Sequence, residues 1–204
     1  STINKVWTDL VTDVPYMRCS LPKDAKLKSW PWARGVYSQI KADGMFVNVT
    51  RYDYDKFTFE SRSGSPFPLE AFAHIIEELK EVMPIAYQFH GELTMMENQL
   101  SGYEIISRQA GNGMFNSILK GGDLGAGYTP KLDVWDAIPL EQVKPKNKYQ
   151  VAYSERIKVL QFVKDTHFVE LIPTRVVYSL KEAYEHYRWA LENELEGTIV
   201  KHPD

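Results

Sequence analysis

The sequence predicts a soluble domain that mixes helices and strands, folded as one large unit or as two closely joined lobes. Segments with alternating apolar residues, typical of strands, are interspersed with segments that repeat apolar residues at helical spacing. The chain of 204 residues is 44% apolar and 13% aromatic, which is enough to bury a full core. Its apolar runs fall well short of the roughly 18 residues that a membrane-spanning helix needs, so we expect no membrane association.

Net charge and residue usage narrow the possible functions. The net charge is −3, whereas a domain that holds nucleic acid by itself is usually basic, so a DNA-acting protein of this kind would rely on further domains for its grip. A single cysteine, Cys19, cannot form an internal disulfide, which suits a reducing compartment. The five histidines are scattered without companion cysteines, so no zinc site is predicted.

The first predicted strand leads into a turn that carries a lysine. Residues 36–40 alternate as a strand, residues 45–49 resume an extended pattern, and Lys-Ala-Asp-Gly stands between them at residues 41–44. Gly44 would let the backbone turn, and Lys41 would project its amine from a rigid element. A nucleophilic lysine needs such a setting, because a reference pKa of about 10.4 leaves almost no free amine at neutral pH. An isolated copy of the tetrapeptide is more typical of a solvated loop.

The third strand-like run ends in a polar turn. Residues 57–60 alternate as a strand and are followed by Ser-Arg-Ser-Gly at residues 61–64. Arg62 thus emerges at a strand end. It is either an ordinary surface arginine or a guanidinium fork directed at a ribose or a phosphate.

A packing helix precedes the next strand. Residues 69–82 carry apolar residues at helical spacing and end before a proline. Residues 85–89 then form a strand that runs into His-Gly-Glu-Leu, which we expect to set Glu92 at a second strand corner. By itself Glu92 would be an ordinary surface carboxylate.

The segment from residue 107 to residue 128 is rich in glycine. It does not match the phosphate-binding pattern Gly-x-x-x-x-Gly-Lys-Ser/Thr, so a P-loop is rejected. We expect a short helix over residues 114–119 with mobile flanks. Contact of Arg108 and Lys120 with a phosphate backbone is the less favoured alternative.

Residues 132–139 predict a buried strand that contains Trp135. A tryptophan in such a run is usually part of the core, and only proximity to Lys41 and Glu92 would make it a wall for a planar base. Downstream, Glu196 stands before a turn and Lys201 ends a short apolar strand. The remaining predicted elements are a helix at 154–162, a strand at 168–172 and a helix that a capping box opens at Ser179 and that runs to about Leu191.

Four of these segments together resemble motifs of the covalent nucleotidyltransferases, which include ATP-dependent DNA ligases, RNA ligases and mRNA capping enzymes. Residues 41–44, 90–93, 134–136 and 196–201 are similar to motifs I, III, IIIa and IV, in that order. Within this superfamily the chain most resembles the DNA ligases of T-even-type bacteriophages, from about residue 4 to residue 202. Further similar segments are 39–44, 61–64, 112–113, 117–121, 139–140 and 195–197.

The resemblance implies a fold and a domain organisation. The fold is α+β and ATP-grasp-like, with two antiparallel sheets, helices outside them and the nucleotide in the cleft between the sheets. Residues 1–204 would form one nucleotidyltransferase (adenylation) domain, a fragment that lacks the N-terminal DNA-binding domain and the C-terminal OB domain of a ligase.

The resemblance also implies the catalytic groups. Lys41 would attack the α-phosphate of ATP, expel pyrophosphate and hold AMP through a covalent bond. Glu92 and Glu196 would hold Mg²⁺, which prefers carboxylate oxygen and would neutralise the triphosphate. Glu92 is alternatively a ribose ligand, and the two roles stay open.

Five further residues would bind the nucleotide if the resemblance holds. Trp135 would stack on adenine, while Gln39 and the backbone at Ile40 would read the adenine amino group. Arg62 would contact the sugar or a phosphate, and Lys201 would face the phosphates.

The implied function is DNA ligation by a monomer in the cytoplasm, that of the host if the protein is viral, during DNA replication, repair and recombination. AMP would pass to the 5′-phosphate of a nick in double-stranded DNA, and the adjacent 3′-hydroxyl would seal it. Two alternatives stay open, an RNA ligase of the same superfamily and a nucleotide- or DNA-binding relic with weak catalysis. The relic is considered because Phe46 stands where these ligases commonly carry an arginine, and because no motif V follows residues 196–201.

Overall fold

The computed structural model describes residues 19–143, 151–161, 163 and 166–204. Within these residues it contains four α-helices and nine strands. The strands are β1 Val36–Ile40, β2 Met45–Arg51, β3 Phe57–Ser61, β4 Tyr87–Gln99, β5 Gly102–Ile105, β6 Tyr128–Pro139, β7 Val169–Leu171, β8 Thr174–Val177 and β9 Thr198–Lys201. The helices are α1 Ala73–Val82, α2 Arg108–Leu119, α3 Tyr153–Leu160 and α4 Leu180–Glu192.

A small sheet has the order β8-β1-β9, with both pairings antiparallel. β1 is therefore the central strand, and Lys41 follows it directly. Helix α4 covers one face, where Ala183 and Ala190 are buried and the hydroxyl of Ser38 lies 2.8 Å from Nδ1 of His186. The other face of β1 carries the side chain of Gln39, which contacts β6 of the second sheet.

The large sheet has the order β3-β2-β4-β6-β7, and β5 pairs with the far end of β4. Its pairs are antiparallel except β6 with β7, which is parallel. The two expected antiparallel sheets are present, and the parallel pair at this edge is an addition to them. The chain passes through α3 between β6 and β7, and such a crossover returns the second strand in the same direction.

One face of the large sheet forms the main core. Alternate residues of its strands, among them Val49, Phe59, Phe89 and Leu132, pack there with α1, α2 and α3, and Phe115 of α2 belongs to the same core. The opposite face is polar although much of it is buried. It carries Asn48, Thr50, Gln88, His90 and Asp136, all at most 4% exposed.

The start of β4 explains an error in the sequence interpretation. The strand runs through Glu92 to Gln99, so Glu92 lies within it, and the expected strand corner at Glu92 is wrong. Gly91 does not form a turn. It allows the backbones of β4 and β6 to approach closely, because a Cβ there would lie 2.8 Å from the carbonyl oxygen of Asp133 on β6.

Most other elements agree with the sequence, with differences at their ends. The helix expected at 69–82 begins with a 3-10 turn, Leu69–Phe72, before α1. The glycine-rich segment forms a longer helix than expected, because α2 begins at Arg108, after the N-cap Ser107, whose hydroxyl accepts from the backbone N–H of Ala110. Strand β8 was not predicted. Residues 1–30 mix prolines and charged residues with scattered apolar ones, which predicts an irregular segment, and residues 1–18 of it lie outside the described residues.

None of the helices in the part of the chain that the structure describes is long and apolar enough to cross a bilayer.

Gly44 lies at the bend between β1 and β2, where it permits a close approach of two chain segments. Its φ is not positive, but an added Cβ would lie 2.5 Å from the carbonyl oxygen of Leu93 on β4. We therefore predict that Gly44→Ala lowers the free energy of unfolding by about 1–3 kcal/mol, measured by chemical denaturation.

The matched control is Gly113→Ala on α2, where a Cβ meets no atom within 4 Å. It should raise the free energy of unfolding by about 0.5–1 kcal/mol, because alanine favours a helix interior. Equal effects of the two substitutions would contradict the close approach at Gly44.

Candidate functional site

Lys41 is placed by the small sheet and held by Glu196. Its backbone N–H donates to the carbonyl of Gly197 at 2.9 Å, which ties the turn after β1 to the turn before β9. Its ammonium forms an ion pair with the Glu196 carboxylate. The tie requires glycine at position 197, where φ is +125° and a Cβ would lie 2.8 Å from the ring of Tyr187.

Arg108 is a second cation at the same place. Its Nη1 lies 2.9 Å from Oδ1 of Asp43 and 3.9 Å from Oε2 of Glu196. Glu196 thus faces Lys41 with one oxygen and Arg108 with the other. The sequence offered only a weak signal for Arg108, because its partners lie far away along the chain.

Glu92 lies beside these groups on the polar face of β4. Burial is the main cause that raises the pKa of Glu92, to about 8, and the negative charge of Glu196 acts in the same direction. The positive charges of Arg108, Lys41 and Arg62 oppose this rise in the pKa. Since all four groups act on one carboxyl, the chain brings together side chains that the sequence placed in separate motifs.

We call Lys41, Asp43, Arg62, Glu92, Arg108 and Glu196 the charged cluster. Within it, the two carboxylates predicted to hold Mg²⁺ are close enough for the charge of Glu196 to raise the pKa of Glu92. The described residues contain no group of three or more His, Cys, Asp or Glu side chains arranged to hold a metal by themselves. Two carboxylates do fit Mg²⁺, which keeps several water molecules and is commonly bound through one or two carboxylates plus substrate phosphates.

Trp135 projects from a β-bulge in β6. The register between β4 and β6 shifts after His90, which pairs with Asp136, whereas Gly91 pairs with Val134. Trp135 is therefore the extra residue, and bulges of this kind turn a side chain and its carbonyl out of the regular ladder. Its carbonyl accepts from Nζ of Lys201 at 2.8 Å and from Nε2 of Gln39 at 3.3 Å.

The indole of Trp135 has both aromatic and cationic neighbours. Nζ of Lys201 lies 4.9 Å from its ring centroid, and the rings of His90 and Phe46 lie 5.4 and 6.2 Å away. Phe46 also pairs with Glu92 across the β2–β4 ladder. The residue that replaces the usual arginine is thus an aromatic neighbour of both Glu92 and Trp135.

Lys201 is buried among aromatic and charged groups. Besides its contacts with Trp135, its Nζ lies 4.3 Å from the Tyr153 ring centroid and 3.9 Å from Oδ2 of Asp136. Burial is the main cause that lowers the pKa of Lys201 to about 8, against the opposing charge of Asp136. Asp136 is itself bound by both donors of an Arg156 fork, at 2.8 and 3.1 Å. The predicted contact of Lys201 with phosphates stays a prediction.

The two residues predicted to read adenine already make hydrogen bonds within the protein. Nε2 of Gln39 donates to the hydroxyl of Thr174 at 2.8 Å, and the backbone N–H of Ile40 donates to the carbonyl of Pro173 at 3.0 Å. We call Gln39, Trp135, Tyr153 and Lys201 the tryptophan cluster. It stands beside the charged cluster, and Phe46 links the two through Trp135 and Glu92.

Every residue predicted for the site thus belongs to, or adjoins, one of these two clusters. Five residues that the sequence did not assign to the site belong to these clusters or adjoin them, namely Asp43, Arg108, Tyr153, Asp136 and its partner Arg156. Asp43 and Asp136 lay inside quoted motifs and could have been found from them. Tyr153 and Arg156 sit on a helix whose sequence indicated only packing.

Comparison with known proteins points to one family. A family model described as "ATP dependent DNA ligase domain" matches residues 28–204. The DNA ligase of Enterobacteria phage T4 is 27% identical over 242 residues, which cover 100% of this chain and 48% of that protein, and the phage T6 DNA ligase matches equally. The chain spans about half the length of these curated relatives.

Solved structures support the fold. The ATP-dependent DNA ligase from bacteriophage T7, in complex with ATP, matches with a TM-score of 0.65 at 17% identity, over 95% of this chain and 64% of that chain. An archaeal ATP-dependent RNA ligase matches with a TM-score of 0.54 at 15% identity, over 93% of this chain and 44% of that chain. The expected nucleotidyltransferase fold, with two sheets and flanking helices, is confirmed.

The buried Glu92 carboxyl leads to a stability prediction. Its folded-state pKa of about 8 lies above the ordinary value of 4.5, so the charged form is penalised in the folded protein. This penalty is absent below about pH 4.5, grows as the pH rises and is complete above about pH 8. Glu92→Gln should therefore raise the free energy of unfolding at pH 8 by about 1–3 kcal/mol, and by less at pH 5.

The measurement is chemical denaturation at pH 5 and pH 8 without nucleotide or divalent metal. Glu185→Gln on α4 is the control, because this side chain is 61% exposed beside Lys181 and should change stability little at either pH. A Glu92→Gln variant that is less stable than the parent at pH 8 would contradict the assigned burial penalty.

Proposed function

Since this chain belongs to the family of the ATP-dependent DNA ligase domain, we propose that it is the adenylation domain of an ATP-dependent DNA ligase. The observation that carries the proposal is the convergence of Lys41, Glu92 and Glu196 from three separate parts of the sequence. The relatives named DNA ligase in phages T4 and T6 support DNA as the polynucleotide.

In the proposed first step, the Lys41 amine attacks the α-phosphorus of ATP. A phosphorus–nitrogen bond forms, the bond from that phosphorus to the bridging oxygen breaks, and pyrophosphate leaves. The ammonium must lose a proton before its lone pair can attack, so the ion pair with Glu196 describes the resting state and not the attacking one. The hydrogen bond from the backbone N–H of Lys41 to the carbonyl of Gly197 keeps the backbone at Lys41 in place.

Glu92 and Glu196 would hold Mg²⁺. When bound, the ion neutralises triphosphate charge that the carboxylates alone would repel. The raised pKa of Glu92 suits this role, because a carboxyl that resists ionisation in the empty site becomes charged when a cation is present to compensate it. Arg62, exposed beside Glu92, would contact the ribose or a phosphate.

The tryptophan cluster would bind the base. Trp135 is half-buried at the bulge and would stack on adenine, with Phe46 as its aromatic neighbour. Gln39 and the backbone at Ile40 would lie against the adenine amino group. Lys201 would orient Trp135 through its carbonyl and would reach the phosphates from the tryptophan side of the cleft.

The later steps concern the polynucleotide. AMP would pass from Lys41 to the 5′-phosphate at a nick in double-stranded DNA, and attack by the 3′-hydroxyl would seal the strand and release AMP. We assign this activity to a monomer acting in the cytoplasm, that of the host if the protein is viral, in DNA replication, repair and recombination. Because the net charge is −3 and DNA is negatively charged, we infer that other domains provide most of the DNA binding.

A second candidate is ligation of RNA ends, which the match to an archaeal RNA ligase favours at the level of the fold. The two are separated by sealing assays of the full-length protein on nicked duplexes that differ only in having DNA or RNA at the 3′-hydroxyl side of the nick. Preference for the all-DNA duplex supports the proposal. Preference for the RNA end would replace it with the RNA ligase.

The first prediction from this proposal concerns covalent labelling. The full-length protein, incubated with ATP labelled at the α-phosphate and with Mg²⁺, should retain one acid-labile AMP, and Lys41→Ala should abolish the label. Lys158→Ala is the control, because this exposed lysine on α3 pairs only with the neighbouring Glu155 in the described structure. Labelling of Lys41→Ala at the rate of the control would rule out Lys41 as the nucleophile.

The second prediction concerns base stacking. Trp135→Ala should raise the ATP concentration at which adenylation is half-maximal by about 5- to 100-fold, because stacking of a base on an aromatic ring contributes about 1–3 kcal/mol. Trp135→Phe keeps a planar ring and should stay within about fivefold of the parent. The contrary result would be equal behaviour of the two variants, measured by the same labelling assay over a range of ATP concentrations.

A further inference from the structure

Arg108 connects the large sheet to the small sheet. Its helix, α2, packs on β4 and β2 of the large sheet. Its two carboxylate partners belong to the small sheet, since Asp43 lies in the turn after β1 and Glu196 in the turn before β9. The guanidinium of Arg108 therefore links the helix that packs on β4, the strand of Glu92, to both turns that position Lys41.

The ion pairs around Arg108 restrict Glu196. One carboxylate oxygen of Glu196 contacts Lys41, and the other lies 3.9 Å from Nη1 of Arg108. The Glu196 side chain is 35% exposed, so without a second partner it would be able to rotate about its own bonds. Because the Lys41 ammonium is held through this carboxylate, its position depends on which rotamer Glu196 adopts.

Asp43 contacts Arg108 from the other turn, the one after β1. Its contact with Arg108 is the shorter of the two, at 2.9 Å, and it anchors the turn that begins at Lys41. Both contacts involve side chains that are 35–52% exposed, so each contributes little to stability. Their common effect is on geometry, and a nucleophile misplaced by about 1 Å loses about 100-fold in rate.

We propose that Arg108 is a positioning residue for Lys41, acting through Asp43 and Glu196, an inference that rests on the proposed adenylation reaction. Arg108 holds the turn after β1 and the Glu196 carboxylate in one arrangement. The Lys41 amine is then already oriented toward the α-phosphorus when ATP binds. Its contribution is to the rate of the chemical step more than to the binding of ATP.

The test is the single-turnover rate of AMP transfer to Lys41, measured over a range of ATP concentrations with the full-length protein and Mg²⁺. Arg108→Ala should lower the maximal rate about 10- to 100-fold, while the half-saturating ATP concentration changes less than about threefold. Arg108→Lys retains a cation within reach of a carboxylate and should recover at least a third of the loss on a logarithmic scale. Arg188→Ala, which removes an exposed Arg–Glu pair on α4, should behave as the parent protein.

A double substitution shows whether Asp43 affects the rate only through Arg108 or also independently of it. If Asp43 acts only through Arg108, Asp43→Ala together with Arg108→Ala should be no slower than Arg108→Ala alone. If the double variant instead loses the product of the two single-variant losses in maximal rate, this part of the proposal is overturned. Thermal unfolding of each variant within about 3 °C of the parent shows that the fold is retained, as expected for half-exposed side chains.

Two results would overturn the role of Arg108. One is a maximal rate equal to that of the parent in Arg108→Ala. The other is a loss that lies wholly in the half-saturating ATP concentration, which would make Arg108 a nucleotide ligand. Failure of the proposed function gives a different result, because the parent protein itself would then acquire no AMP.

Discussion

The backbone carbonyl of Trp135 ties the two sheets together. Because Trp135 is the extra residue of a bulge, its carbonyl turns away from the β4–β6 ladder and accepts from Gln39 on β1 and Lys201 on β9. Polar groups at such a junction must be paired, and this one acceptor serves donors from two strands of the small sheet. The orientation of the indole and the relation of the sheets are therefore determined by the same hydrogen bonds.

The two clusters of the site differ in burial and in the number of hydrogen bonds that hold their side chains. In the tryptophan cluster, Gln39 is 1% exposed and bonds to three partners, so its geometry is set before any ligand arrives. In the charged cluster, Lys41 and Arg108 are 38% and 50% exposed, and their ion pairs with carboxylates are accessible to solvent. A buried, hydrogen-bonded cluster beside an accessible set of charges suits the proposed function, in which one part of the site recognises the nucleotide and the other reacts with it.

Local sequence patterns predicted most of the elements, and tertiary contacts account for the rest. Residues 57–60 and 179–191 were predicted because strand alternation and a capping box are short-range signals. Glu92 was misplaced because Gly91 resembles a turn residue when its neighbour on β6 is unknown. Strand β8 is four residues long and half exposed, so it has no clear periodic pattern of its own.

The candidate site was predictable where a motif carried it and not where long-range packing did. Lys41, Glu92, Trp135 and Glu196 came from the resemblance, and their assembly is a property of the folded chain. The bulge at Trp135 has no local sequence signal, because the register shift exists only between two paired strands. The role of Arg108 was equally hard to predict from the sequence, since its carboxylate partners are distant along the chain.

The central position of β1 also affects the order in which the molecule acquires its site. Both neighbours of β1 come from the chain beyond Pro173, so the strand that precedes Lys41 finds no partner in its own sheet until β8 and β9 have been synthesised. The large sheet closes mostly with nearby strands and can assemble earlier on the ribosome. During synthesis, most of the large sheet could thus be folded before β1 acquires its two neighbours.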